Sequence, residues 1–93
     1  MSKALFTKKL SSLSKSACKE VICATGLRYR DERILLEWYV YEKSINKIAE
    51  EECVQRESAY NALAQARSRL YFLLTHQLEL LPDDVKRIAK YLV

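Results

Sequence analysis

Apolar residues recur at three- and four-residue steps along most of the chain, the spacing of a buried stripe on an α-helix. In the first segment this pattern predicts one helix over about residues 3–24. Its apolar stripe consists of Phe6, Leu10, Leu13, Ala17, Val21 and Ala24. Gly26 follows where a left-handed C-terminal cap would stand. Four serines within residues 11–16 compete for backbone hydrogen bonds, so we expect the N-terminal half of this helix to fray.

Two shorter helices are predicted next. One runs from about Arg30 to Tyr41, with an inward face of Ile34, Leu35, Trp38 and Tyr41. Ser44 is a favourable N-cap for the other, which covers about residues 45–52. Its inward residues are Ile45, Ile48 and Ala49.

A break at residues 53–55 precedes a longer helix, from about Arg56 through Leu74, with an extension to Leu80 left open. Its apolar stripe is Ala59, Leu63, Ala66 and Leu70. Pro82 is expected at the first position of a final helix, followed by two aspartates in the positive first turn. The apolar side of that helix is Val85, Ile88, Ala89 and Leu92.

Composition supports a small all-α protein. Among 93 residues there is one Gly and one Pro, too little turn-forming material for a sandwich or a doubly wound sheet. We therefore expect a single domain over residues 1–93, a compact bundle of four to five helices. The longest apolar run, residues 70–74, is too short to span a membrane. A cytoplasmic location is expected; the basic, serine-rich first nineteen residues leave a transit peptide as the alternative.

The formal charge of +4 is unevenly distributed. Residues 1–30 hold seven basic and one acidic side chain, residues 31–52 three and seven, and residues 53–93 six and four. An acidic middle between basic ends suits a domain that shows a basic surface to nucleic acid. Ordinary solvated helix faces would give the same distribution.

The two helices on either side of residues 53–55 have the pattern of a helix-turn-helix. Ala49 is small where the helices would cross, and Val54 is apolar just after the turn. Residues 30–70 resemble region four of bacterial RNA polymerase sigma factors of the sigma-70 class, which reads promoter −35 DNA. The resemblance is carried by Glu32, Leu36, Tyr39, Ser44, Ile48, Ala49, Glu50, Val54, Leu63 and the closing Ala66-Arg67-Ser68-Arg69-Leu70. Phage late-gene activators with a sigma-like unit share much of this pattern and remain an alternative.

The chain departs from that family's pattern at four positions. The family usually has Gly where Glu42 and Cys53 stand, and at Cys53 its turn favours positive φ. It usually has an apolar residue at Glu52, and Ser or Thr capping the second helix at Gln55. Residues 1–29 are too short for the region with which a full sigma factor opens the −10 element. We expect either an excised domain or a small stand-alone regulator.

The resemblance implies that the helix beginning near Arg56 enters a major groove. Its outward residues would then contact base edges: Arg56, Glu57, Tyr60, Asn61 and Gln65. Four basic residues are better placed for phosphates: Lys43, Lys47, Arg67 and Arg69. Double-stranded DNA is thus the expected partner, with RNA polymerase as the implied protein partner.

Other chemistry has little support in the sequence. Cys18, Cys23 and Cys53 include no C-x-x-C pair, and His76 is the single histidine, so no metal site, cofactor or catalytic group is expected.

Tyr71 and Phe72 extend the apolar surface beyond what three helices bury, and a homodimer through the terminal helices is a hypothesis. Two functions remain open: a transcription regulator that binds duplex DNA, or a protein-interaction module in which a degenerate helix-turn-helix binds polymerase, a sigma factor or another regulator.

Overall fold

A computed structural model describes residues 2–93, and all regular secondary structure in that range is helical. The helices are α1 (Lys3–Ser12), α2 (Lys15–Ala24), α3 (Tyr29–Tyr39), α4 (Ile45–Glu51), α5 (Arg56–His76) and α6 (Asp83–Leu92). A single 3-10 turn, Leu78–Leu80, precedes α6. The predicted all-α class is therefore confirmed. The expected count of four to five helices is wrong, because the first predicted helix is in fact two.

The chain breaks between α1 and α2 at two residues with extended backbone. Leu13 has ψ 154° and Ser14 has ψ 157°. The Ser14 hydroxyl accepts a hydrogen bond from the Ala17 N–H at 3.1 Å and so caps α2. Ser14 thus starts a second helix, and Phe6 and Leu10 of α1 are packed in the core.

The long helix α5 is the centre of the fold. It packs against α1, α3 and α4. It buries the predicted stripe, extended by one turn: Ala59, Leu63, Ala66, Leu70 and Leu74. It ends at His76, short of the alternative end at Leu80. Because one side of α5 is buried along its whole length, the opposite side is available to solvent.

The inward face predicted for α3 is partly wrong. Ile34 and Leu35 are buried as expected, and Trp38 is half-buried against the core. Tyr41 lies beyond the end of α3 and is 56% exposed. The helix ends at Tyr39, and Glu42 then takes φ +54°, which redirects the chain toward α4.

The last helix closes the bundle against α1 and α2. Pro82 is its N-cap, one residue before the expected position, and Asp83 and Asp84 occupy the first turn. Val85, Ala89 and Leu92 are buried. Among residues 2–93 no helix is both long and apolar enough to cross a membrane.

Candidate nucleic-acid interface

A short turn joins α4 to α5. Ser44 starts α4 by accepting a hydrogen bond from the Lys47 N–H at 3.1 Å, and Ala49 is buried where the two helices pack. The chain then turns through residues 52–55, where the Val54 N–H donates to the Ala49 carbonyl at 3.0 Å. Gln55 precedes α5 without a side-chain capping bond. This turn sets the direction in which α5 leaves the core.

Two residues between α3 and α5 have a left-handed backbone conformation although neither is glycine. Glu42 has φ +54° and Cys53 has φ +56°. These are the two positions at which sigma region four usually has glycine. Both side chains are exposed, so the strained backbone does not also require a packed side chain. At both positions the backbone has a left-handed conformation that usually favours glycine, although the residue is not glycine.

Glu52 is a third position at which the chain departs from the sigma-family pattern, and its side chain forms an ion pair within the protein. Its half-buried carboxylate bonds the Arg33 guanidinium of α3. Glu37, also on α3, is only 5% exposed and lies 3.4 Å from the Arg33 Nε. The Lys43 Nζ donates to Glu51 at 2.8 Å. This network ties α3 to α4, so much of the acidic middle segment serves to join helices.

The network displaces two carboxyl pKa values in opposite directions. Burial raises the pKa of Glu37, with Lys43 partly offsetting it. The hydrogen bond from Lys43 lowers the pKa of Glu51. Lys43 is consequently held by Glu51, and Lys47 also lies 3.8 Å from that carboxylate. Neither lysine is a free cation in this structure.

All five base-reading candidates lie on the surface of α5. The exposed side chains are Arg56, Glu57, Tyr60, Asn61 and Gln65. The Arg56 guanidinium lies over the Tyr60 ring, 5.6 Å from its centroid. This side of α5 offers an arginine fork, two amide groups and a carboxylate, which are the groups that pair with base edges.

The two arginine candidates for phosphate contact lie in the second half of α5. The Arg67 Nη1 donates to the Tyr39 hydroxyl at 3.1 Å. The Arg69 Nη1 bonds the buried Asp31 carboxylate of α3 at 2.8 Å. A guanidinium has five N–H donors, so each contact orients its arginine and leaves donors for another partner.

The start of α3 contributes two basic residues that the sequence interpretation missed: Arg28, its N-cap, and Arg30, in its first turn. Arg28 and Arg30 are exposed and share a groove of about 330 Å³ with Asn61, Gln65 and Arg69. Arg28 lies 3.5 Å from Asp31, and Arg30 has no ion pair among residues 2–93. The sequence signal for these two arginines was the excess of basic residues in positions 1–30. That excess does not show that the start of α3 lies beside the middle of α5.

The exposed side of α5 therefore carries hydrogen-bonding side chains beside a rim of arginines.

The three cysteines are unpaired, with Cys18 buried and the other two exposed. Across the described residues no cluster of His, Cys, Asp and Glu has the arrangement of a metal site. No protein-family model, curated protein sequence or solved structure matches the chain.

Proposed function

We propose that the protein is a DNA-binding regulator of transcription. In this proposal α4, the turn and α5 act as a helix-turn-helix of the sigma-region-four type, and α5 enters the major groove. One observation carries the proposal. The outward face of α5 presents Asn61 and Gln65 to solvent, directly beside the exposed cations Arg28 and Arg30. Side chains suited to bases thus lie next to side chains suited to phosphates.

The backbone conformation on either side of α4 supports the same proposal. Positive φ occurs at Glu42 and Cys53, where the resemblance expects glycine. Ala49 is buried at the contact of α4 with α5, and Val54 packs against the core. The Glu and Cys side chains at these positions are therefore compatible with a left-handed backbone, which glycine adopts most readily. The sigma-like register also suggests RNA polymerase as the protein partner.

Each exposed residue would have a distinct role on the DNA. Arg56 can pair with guanine O6 and N7, Asn61 and Gln65 with adenine, and Glu57 with the cytosine amino group. Each well-formed bidentate pair would contribute about 1–3 kcal/mol of discrimination. The arginines at the start of α3 would contact phosphates, giving affinity for any sequence and a strong dependence on salt.

Equilibrium binding to short duplexes of random sequence tests the proposal. Fluorescence anisotropy between about 50 and 200 mM salt should show binding that weakens steeply as salt rises. Arg30→Ala should weaken binding to all sequences and lower the salt slope by about one. Asn61→Ala should instead relax the preference at particular bases in a selected pool.

Arg87→Ala is the matched control, because Arg87 is an exposed arginine on α6, which packs against α1 and α2. It should leave the salt slope close to that of the unmodified protein. Absence of binding at the lowest salt would overturn the proposal. Equal effects of Arg30→Ala and Arg87→Ala would show that the face beside α3 is not the DNA surface.

A second candidate function is a protein-interaction module. It is favoured by two large apolar side chains on the surface, Phe72 at 58% and Leu80 at 82% exposed. They lie at and beyond the C-terminal end of α5, outside the proposed reading residues. A second copy of the chain, polymerase or another regulator would cover them. Analytical ultracentrifugation tests the homodimer, and a monomer at high concentration would exclude it.

A further inference from the structure

A second groove borders α5 on the side of α1. It has a volume of about 510 Å³ and lies between the first half of α1 and the middle of α5. Its polar lining comes from Lys3, Thr7, Arg67 and Ser68. We propose that this groove binds a backbone phosphate of the same DNA whose bases α5 contacts, which rests on the function proposed above.

The charge of the groove suits an anion. Lys3 is exposed and has no ion pair among the described residues. Arg67 is held by the Tyr39 hydroxyl at 3.1 Å, which fixes its guanidinium and leaves other N–H donors. None of the residues that line the groove is acidic. Two cations from different helices, Lys3 and Arg67, therefore line the same groove, and neither has an ion pair with a carboxylate among residues 2–93.

The position of the groove suits a phosphate of bound DNA. Ala64 and Ser68 line it and follow Glu57 and Asn61 at helical steps, so the groove continues the reading face along α5. Arg67 stands seven residues after Tyr60, about 10 Å further along the helix axis. A major groove is about 12 Å wide. With the first turns of α5 at the base edges, the DNA strand at the edge of the major groove would pass near Arg67 and Lys3.

The contact of α1 with α5 makes the groove a fixed feature. The Phe6 ring of α1 packs against the Tyr71 ring of α5, with 5.0 Å between centroids. Phe6 is 2% exposed. The first helix, outside residues 30–70, would thus extend the DNA-binding surface in addition to closing the core.

Lys3→Ala and Lys8→Ala form the test pair. Both residues are exposed lysines of α1, and Lys8 does not line the groove. Binding of each variant to a random duplex is measured at about 50 and about 200 mM salt. Loss of one phosphate contact lowers the salt slope by about 0.9, so the ratio of the two Kd values should fall about threefold for Lys3→Ala. For Lys8→Ala the ratio should stay near that of the unmodified protein.

The outcomes separate this inference from the proposed function. A reduced ratio for Lys3→Ala with an unchanged ratio for Lys8→Ala supports the phosphate site. If the unmodified protein binds and both variants keep its ratio, the inference is overturned while the proposed function stands. If both variants reduce the ratio equally, the lysines act through diffuse charge and the inference is likewise overturned. If the unmodified protein does not bind at low salt, both fail.

Discussion

At the scale of single residues, Cys53 adopts a backbone conformation that favours glycine. The residue takes φ +56°, where an L-residue is strained by about 1–2 kcal/mol, and its side chain is exposed. Replacement by glycine relieves that strain but adds backbone entropy to the unfolded chain, about 0.4–1 kcal/mol. The turn therefore forms at a cost in stability that glycine would reduce.

Cys53→Gly should raise the free energy of unfolding by about 0.5–1 kcal/mol. Gly26→Ala is the reciprocal control, since Gly26 has φ +73° and an added Cβ would meet no atom within 4 Å. Backbone strain alone should then lower the stability of that variant by a similar amount. Urea denaturation followed by circular dichroism measures both. A destabilised Cys53→Gly protein would show that the thiol makes a contact that the structure does not contain.

Glu37 and Glu51 should contribute oppositely to the pH dependence of stability. Burial raises the pKa of Glu37 in the folded state, so its contribution is present below the unfolded-state pKa and is lost as pH rises through the folded value. The hydrogen bond from Lys43 lowers the pKa of Glu51. Its contribution is present above the unfolded-state pKa and is lost as pH falls through the folded value.

Glu37→Gln and Glu51→Gln therefore form a matched pair. Relative to the unmodified protein, Glu37→Gln should gain unfolding free energy as pH rises from about 3 to about 7. Glu51→Gln should lose it over the same range. Urea denaturation at the two ends of the range gives both differences, and a change of the same sign in both variants would contradict the assignment.

Helix caps could be predicted from single residues, whereas ion pairs between helices could not. Ser44 and Gly26 act locally, and the structure confirms both. The bond from Arg69 to Asp31 joins residues 38 positions apart. It depends on how α3 lies against α5, which periodicity does not determine. For the same reason the pairing of Arg69 with Asp31 was not predicted, and Arg30 was missed.

At the scale of elements, the apolar stripes predicted most of the buried faces correctly, apart from Tyr41, and one helix wrongly. The stripe from Phe6 to Ala24 continues through the break, because Leu13 still packs against the core after α1 ends. Ser14 decides the break by capping α2. Serine caps compete locally with helix continuation, and an apolar pattern carries no information about that competition.

Ser14→Ala should destabilise the protein by about 1 kcal/mol, the usual cost of removing an N-cap. Ser16→Ala is the control, since Ser16 is exposed within α2 and does not cap it. Alanine has the higher helix propensity, so this variant should be neutral or slightly stabilised. Thermal unfolding of the two proteins gives the comparison. Equal stability of both variants would mean that packing of Leu13, and not the cap, separates α1 from α2.

At the scale of the whole molecule, α5 links the core to the proposed DNA surface. One side of it packs against α1, α3 and α4, and the other projects Asn61 and Gln65 toward solvent. The outward residues of α5 were predictable from the period of the helix. The position of Arg28 and Arg30 along one cationic border was not, because they come from the start of α3, distant in the chain. The other border combines Lys3 of α1 with Arg67 of α5. Those borders distinguish the proposed DNA surface from an ordinary polar helix face.

Chemical-shift mapping with a short duplex tests the central claim most directly. Heteronuclear NMR spectra of the labelled protein, recorded during titration at low salt, report the amides that DNA perturbs. We predict changes concentrated in residues 56–65 and at Arg28 and Arg30, with α6 unaffected and the changes reversed by added salt. Changes confined to Phe72 and residues 78–80, or no changes at any duplex concentration, would contradict the claim that α5 binds DNA.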